Sequence, residues 1–229
     1  MLLFIFAEKQ ESEFILSHVE IKKEYLFNSQ FKEFQNVLLC KKNEQLFYIA
    51  HCGVGKVNAS VFLTKVLNEF KKINKVINLG PAGCIQKAEI GTPFLIDKLF
   101  YYDVDLTMLP NYKLGQLPNQ IYEFKTNSKL NEMIQRKLKT IAKTNAVSAD
   151  HFATIKDLEL IKNNFNQVNI VDMESTSLIH CAIINNVALS IIKIVSDCLS
   201  FSNPNDYQQN KIIWQVKILE IFNLLMEEK

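Results

Sequence analysis

Short apolar runs alternate along the chain with stretches in which apolar residues recur every three to four positions. Leu2–Phe6 is an unbroken apolar run of strand length, which predicts a buried strand. Residues 8–18 read as a helix. Residues 37–40 and 45–50 are rich in β-formers and flank Lys41-Lys42-Asn43-Glu44, the pattern of a hairpin. Between positions 56 and 72, Ala59, Phe62, Leu63, Val66, Leu67 and Phe70 share one helical face, which should pack on a sheet. Residues 75–79 read as a strand entering a turn at Gly80-Pro81-Ala82-Gly83, and 94–102 as another strand. Residues 103–120 carry Pro110, Gly115 and Pro118 and predict a loop.

The second half repeats the alternation. Residues 128–143 look helical, with Ser128 in position to cap the first turn. A short strand follows at 146–148. Another at 168–171 runs into a helix at about 174–185. Residues 187–195 form a strand ending at Ser196-Asp197, and Lys211–Met226 is a long helix with a broad apolar arc. No linker-like break or repeat interrupts the series. The expectation is one domain over residues 1–229, a three-layer α/β/α arrangement around a central sheet.

Composition narrows the function classes. Hydrophobic residues make up 48% and charged residues 22%, enough apolar material for a core that needs no metal or disulfide staple. With 26 basic against 24 acidic residues, the net charge of +2 does not suit an electrostatic nucleic-acid binder. The five cysteines, Cys40, Cys52, Cys84, Cys181 and Cys198, are odd in number and widely spaced, so they read as reduced thiols. The apolar start is too short for a secretory leader, and no run reaches membrane-spanning length. A cytoplasmic protein without membrane or nucleic-acid partners is expected.

Several familiar chemistries are excluded by spacing. Gly53-Val54-Gly55-Lys56 is followed by Val57 where a phosphate loop requires Ser or Thr, and Gly80-Pro81-Ala82-Gly83 is not GxGxxG. The four histidines form no metal pattern, so no metal is expected, and no GxSxG elbow occurs. Open α/β sheets bind ligands beyond the carboxyl ends of their strands. There the sequence places Glu8 to Glu11, the two glycine segments, Ala149-Asp150-His151-Phe152, Asp172-Met173-Glu174-Ser175, and Ser196-Asp197. The set is rich in separated carboxylates and poor in positive charge. On spacing alone, each member has a plainer role open to it. Glu11 and Glu174 could be helix-dipole partners, Asp197 a turn residue, Phe152 and Tyr207 core or rim aromatics, and the glycines turn residues only.

In their order along the chain, these segments resemble the bacterial 5′-methylthioadenosine/S-adenosylhomocysteine nucleosidases of the purine nucleoside phosphorylase superfamily. The matching segments are Cys52-Gly53-Val54-Gly55-Lys56-Val57, Asn78-Leu79-Gly80-Pro81-Ala82-Gly83 and Tyr102-Asp103-Val104-Asp105-Leu106-Thr107. Gly115-Gln116-Leu117-Pro118, Val171-Asp172-Met173-Glu174-Ser175 and Val195-Ser196-Asp197 complete the set. The resemblance implies a mixed, twisted central sheet, a homodimer and no cofactor. It implies that Glu11 activates the attacking water, that Asp197 protonates N7 of the departing adenine, and that Glu174 grips the ribose hydroxyls with Met173 against the sugar. Phe152 would stack on the purine, the backbone of Ala153 would read its edge, and Gly83 and Ser196 would border the same pocket. Val54, Tyr207 and, from a neighbouring subunit, Leu106, Leu109 and Pro118 would line the space for the 5′ substituent. These residue types suit the reaction. Adenine leaves poorly as an anion and needs a general acid, while water needs a base on the other face of the sugar, as in inverting glycosidases.

The chain departs from the family at four places. Pro81 stands where the family has Ser, Lys193 where it has Arg, Glu8 at an apolar position and Cys84 at a common glycine. Arg holds the water in the family. Lys193 keeps the charge without the planar fork and joins the expected catalytic set, with Glu11 as its expected partner. Three alternatives stand beside the main reading: a 6-amino-6-deoxyfutalosine nucleosidase, a phosphorylase, and a degenerate purine-binding protein. The single arginine, Arg136, lies outside these motifs, which favours water over phosphate as nucleophile.

Overall fold

The structure, a computed structural model, describes residues 1–27, 35–199 and 206–227. The first half comprises β1 (Leu2–Phe6), a 3-10 turn at Lys9–Glu11, α1 (Glu13–Leu16), β2 (Glu20–Leu26), β3 (Asn36–Lys42), β4 (Gln45–His51), α2 (Lys56–Glu69) and β5 (Lys75–Cys84). Next come β6 (Pro93–Tyr101), β7 (Phe124–Lys125), α3 (Ser128–Lys137), β8 (Ala142–Ser148) and α4 (Ile155–Asn164). The remainder is β9 (Val168–Asp172), α5 (Ser175–Ile184), β10 (Ala188–Cys198), α6 (Asp206–Gln209) and α7 (Lys211–Met226).

β1 is apolar without alternation because both of its faces are covered. Leu3 and Ile5 join the core beneath α2 and α5, whereas Phe4 and Phe6 join the core beneath α1, α3 and α7. The result is the expected layered α/β architecture with a central mixed sheet. β1 pairs in parallel with β4 and β5, and the β4–β3–β2 side is antiparallel. On the other side the sheet curls on itself. β5 pairs β10 in parallel, β10 pairs β6, β6 pairs β8, β8 pairs β9, and β9 returns to β5. The register between β10 and β5 shifts between Val195 and Asp197, so Asp197 stands opposite Gly83. Such a bulge re-aims the side chains that follow it.

Several boundaries differ from those the sequence suggests. The 8–18 helix is split at Ser12, whose buried hydroxyl is drawn inward to His51 rather than left on a helix surface. Gly80-Pro81-Ala82-Gly83 is not a turn. β5 runs through it to Cys84, because β10 supplies a pairing partner for each of these residues. Asn127, not Ser128, caps α3, accepting from Leu130 N at 2.9 Å, and the helix ends at Lys137. β2 and α4 have no counterpart in the sequence reading. α4 nonetheless carries a capping box, with Thr154 and Asp157 exchanging bonds across its first turn. The expectation of five reduced thiols is corrected at one pair. Cys84 and Cys198 face each other in the β5–β10 register, with Cα atoms 4.5 Å apart, and form a disulfide across 114 residues. Cys40, Cys52 and Cys181 are free and buried. Among the described residues no helix is long and apolar enough to cross a membrane.

Candidate active site

The carboxyl ends of β1, β4, β5, β8, β9 and β10 open on one cavity. It is lined by Ala7, Glu8 and Glu11 after β1, Val54 after β4, and Pro81 to Gly83 on β5. His151, Phe152 and Ala153 after β8, Val171 and Asp172 at the end of β9 with Met173 and Glu174 after it, Ser196 and Asp197 on β10, Leu199 after it, and Tyr207 on α6 complete the wall. Of the residues singled out from sequence, Glu11, Val54, Gly83, Phe152, Ala153, Met173, Glu174, Ser196, Asp197 and Tyr207 are thus brought together. Leu106, Leu109 and Pro118 are not. They lie on the 103–120 loop, where Leu109 is half exposed and points to no wall of this cavity.

Glu11 is buried on the 3-10 turn and accepts a hydrogen bond from Ala7 N at 3.1 Å. Its carboxylate lies against the backbone of β5. A Cβ at Gly80 would come within 2.9 Å of Glu11 Oε2, so only glycine admits this approach. Burial pushes the Glu11 carboxyl up to about 8. Lys193 opposes the shift, Glu174 and Glu8 add to it, and burial wins. The turn is braced by a chain of buried polar groups that the sequence reading assigned to structure or passed over. Ser12 Oγ bonds His51 Nε2 at 2.7 Å, His51 Nδ1 bonds Asn36 Oδ1 at 2.6 Å, and Asn36 Nδ2 donates to Glu24 at 2.7 Å. Burial holds His51 down at about 4, so the ring is neutral. A carboxamide oxygen can only accept, which places the ring proton on Nδ1 and leaves Nε2 to accept from Ser12.

Lys193 corrects the expected pairing. It is buried on β10 and forms its ion pair with Asp172, at 2.8 Å, not with Glu11. Burial would raise Asp172, but Lys193 and the hydroxyls of Ser148 and Ser175 outweigh it and hold the carboxyl below its ordinary value. Burial likewise disfavours the Lys193 charge, and Asp172, Glu174 and Glu11 together outweigh that and raise it. Lys193 therefore acts on Glu11 through space from behind the cavity wall. The sequence places Asp172 at a strand end but suggests no role for it, because it stands beside Glu174 without any spacing signal of its own.

Glu174 is buried just before α5, and its Oε1 accepts from Gly55 N at 2.8 Å. Gly55 has φ +96°, and a Cβ there would press on Asp150 Oδ1 at 3.2 Å. Lys56 continues the clamp. Its amide donates to Asp150 at 2.7 Å and its ammonium pairs with Asp103 at 2.6 Å, tying three strand-end loops together. Burial, then Asp172, push Glu174 up to about 7. Asp197 accepts from Ser196 Oγ at 2.7 Å, and burial raises its carboxyl as well. A Cβ at Gly83 would meet Leu199 at 3.0 Å, Val171 at 3.2 Å and Asp197 at 3.3 Å, so this end of the cavity is a narrow slot. Phe152 stands at the mouth, 53% exposed. Glu8, placed by the sequence at the end of β1 and marked as a departure from the family, lines the cavity too. Five carboxyl groups, of Glu8, Glu11, Asp172, Glu174 and Asp197, thus surround a cavity that no lysine or arginine lines among the described residues. Three of them carry raised pKa values. Such a set can take and give protons near neutrality and favours positive over negative charge in a ligand.

The family model for the phosphorylase superfamily matches residues 7–222. The 5′-methylthioadenosine/S-adenosylhomocysteine nucleosidase of Buchnera aphidicola subsp. Schizaphis graminum is 31% identical over 216 residues, covering 90% of each chain. A candidate nucleosidase of the same name from Borrelia burgdorferi B31, solved bound to adenine, superposes with a TM-score of 0.89 at 26% identity and covers 99% of each chain. A futalosine hydrolase of Helicobacter pylori shares the fold, with a TM-score of 0.86 at 18% identity over 98% of this chain and 96% of its own.

Proposed function

We propose that this chain, which belongs to the phosphorylase superfamily and within it to the 5′-methylthioadenosine/S-adenosylhomocysteine nucleosidases, hydrolyses the N-glycosidic bond of 5′-thio-substituted adenosines, releasing adenine and the thioribose. The observation that carries the reading is that the buried carboxyl groups of Glu11 and Asp197 stand on different strand ends of one cavity together with Glu174. Residues 1–229 act as one nucleosidase domain.

In this reading the purine enters the slot beside Gly83 and Asp197, with Phe152 over its face and the Ala153 backbone at its edge. Glu174 accepts from the two ribose hydroxyls, and Met173 packs on the sugar. Asp197 gives its proton to N7 as the C1′–N9 electron pair returns to the base. Water, oriented by ionised Glu11, adds to C1′, and its proton passes to Glu11. The products are neutral adenine and a sugar with a free 1-hydroxyl. Positive charge grows on the sugar in the transition state, and the surrounding carboxylates stabilise it. Lys193 favours the ionised form of Glu11 that the step requires.

The charge of the cavity speaks against phosphate as nucleophile. A phosphate dianion would enter among five carboxyl groups, and Arg136 lies on α3, outside the lining. Adenine release from 5′-methylthioadenosine should therefore proceed at full rate without phosphate and yield a reducing sugar. A sugar 1-phosphate as main product would assign the chain to the phosphorylases instead. The retained carboxyl groups argue against a degenerate purine binder, and inclusion of 6-amino-6-deoxyfutalosine in the same panel decides the remaining alternative.

The active unit in this reading is a homodimer in the cytoplasm. Beside the 103–120 loop lies a second cavity lined by Val57, Val61, Val104, Leu117 and Ile184, and Val57 and Ile184 are 70% and 67% exposed. A second copy covering this apolar face would carry Leu106, Leu109 and Pro118 towards the neighbour's 5′ pocket. Light scattering should give twice the chain mass. A fully active monomer would contradict the assignment.

A further inference from the structure

Glu8 occupies a place in the cavity that proton transfer does not use. Its Oε2 accepts from Gln10 Nε2 at 2.7 Å and from the Tyr207 hydroxyl at 3.4 Å. Both bonds that the described residues make to this carboxylate fall on Oε2. Tyr207 is held in turn, its ring stacked on Trp214 with centroids 5.5 Å apart. The pair is thus a fixed polar corner of the cavity.

Backbone geometry places that corner. Glu8 begins the turn that carries Glu11, whose carboxylate accepts from Ala7 N at 3.1 Å. Asp197 stands on β10 opposite Gly83 of β5. Glu8 therefore sits on the side of the cavity that holds Glu11, not in the slot beside Gly83. With the base at Asp197 and the diol on Glu174, the part of a nucleoside left for this corner is the group on C5′. A methylthio group cannot donate a hydrogen bond. Packing one here would strip water from a carboxylate and return nothing. An ammonium or hydroxyl would pair with it, and charge-assisted bonds of this kind are the stronger ones.

Resting on the nucleosidase reading above, we propose that Glu8, with the Tyr207 hydroxyl beside it, is a specificity-determining residue that selects adenine nucleosides whose 5′ substituent carries a hydrogen-bond donor, an ammonium above all, over those ending in a bare alkylthio group. A site built to bond a polar substituent discriminates strongly against analogues that lack it.

The test measures dissociation constants by calorimetry for 5′-amino-5′-deoxyadenosine, S-adenosylhomocysteine and 5′-methylthioadenosine, on the wild-type chain and on Glu8→Met. Adenine release from the same three compounds is followed in parallel. The preference for at least one ammonium-bearing compound over 5′-methylthioadenosine should fall by about tenfold or more in Glu8→Met. Glu8→Gln should shift it in the same direction and serves if Glu8→Met does not fold. An unchanged preference for both compounds overturns the inference, as does equal weakening of all three. Absence of adenine release from every compound would sink the nucleosidase reading, while the affinity ratios would still decide the role of Glu8.

Discussion

Asp197→Asn is expected to lose at least about a hundredfold in turnover on 5′-methylthioadenosine while still binding it, the usual worth of a general acid. Asparagine keeps a hydrogen-bonding oxygen and nitrogen at the site but has no proton to transfer to N7. The wild-type side chain is suited to the task because burial raises its carboxyl, and Ser196 Oγ at 2.7 Å offsets only part of that. Glu11→Gln should show a loss of similar size for the opposite reason, since glutamine cannot accept a proton from water. A substrate whose leaving group needs no protonation separates the roles. It should rescue Asp197→Asn and leave Glu11→Gln impaired. Equal rescue, or near-normal turnover by either variant, would mean that the two roles are wrongly assigned. Stability offers an independent check on Glu11. Its carboxyl titrates at about 8 in the fold against 4.5 for an unperturbed group, so the folded state binds the proton more tightly. Its contribution is complete below the unfolded value and declines as pH rises through that window. Glu11→Gln should flatten this decline in denaturant unfolding measured across the same range.

Lys193→Met should lower the unfolding free energy by about 3–5 kcal/mol, the cost of leaving one member of a buried ion pair alone. Asp172 would lose its 2.8 Å partner while remaining buried beside Glu174. Adding Asp172→Asn removes the stranded charge and should recover a large part of the loss. The same substitution changes the chemistry. Among the described residues, Lys193 is the cation that pulls Glu11 down towards ionisation. Without it the Glu11 carboxyl rises beyond about 8, and the rising limb of kcat/KM moves to higher pH. Turnover should fall more than affinity for adenine, because adenine makes no demand on Glu11. Unchanged stability with an unmoved limb would reduce Lys193 to a packed alkyl chain.

The local pattern carried the elements whose partners are nearby or generic. β1, α2 and α7 could be read because an apolar run or an apolar arc is buried whatever lies opposite. The candidate site was legible at one level: strand ends collect ligands, and the residues standing there were countable. Ten residues named from sequence do line one cavity, although two of them, Ala153 and Tyr207, were named only by the family resemblance. The errors fall where a distant strand overrides local propensity. Gly80-Pro81-Ala82-Gly83 has the composition of a turn, yet pairing with β10 extends it. Residues 8–18 have helical composition, yet Ser12 turns inward to His51 and divides them. α4 was missed despite its capping box; Ile161 is its one buried residue.

The sequence by itself determined the alternation of strands and helices, the near-neutral charge that disfavours nucleic acid, and the order of carboxylate-bearing segments along the chain. These are properties of composition and short-range spacing, and burial acts on them whatever the global arrangement. Only the tertiary structure decided that Lys193 pairs with Asp172 and not Glu11, that Cys84 meets Cys198, and that a register shift turns Asp197 to face Gly83. It alone decided the proton affinities of Glu11 and Glu174, because those depend on how much water the folded chain excludes and which charges it sets beside them. Pairing across the sheet is chosen by register among strands far apart in sequence, and no local spacing encodes that choice.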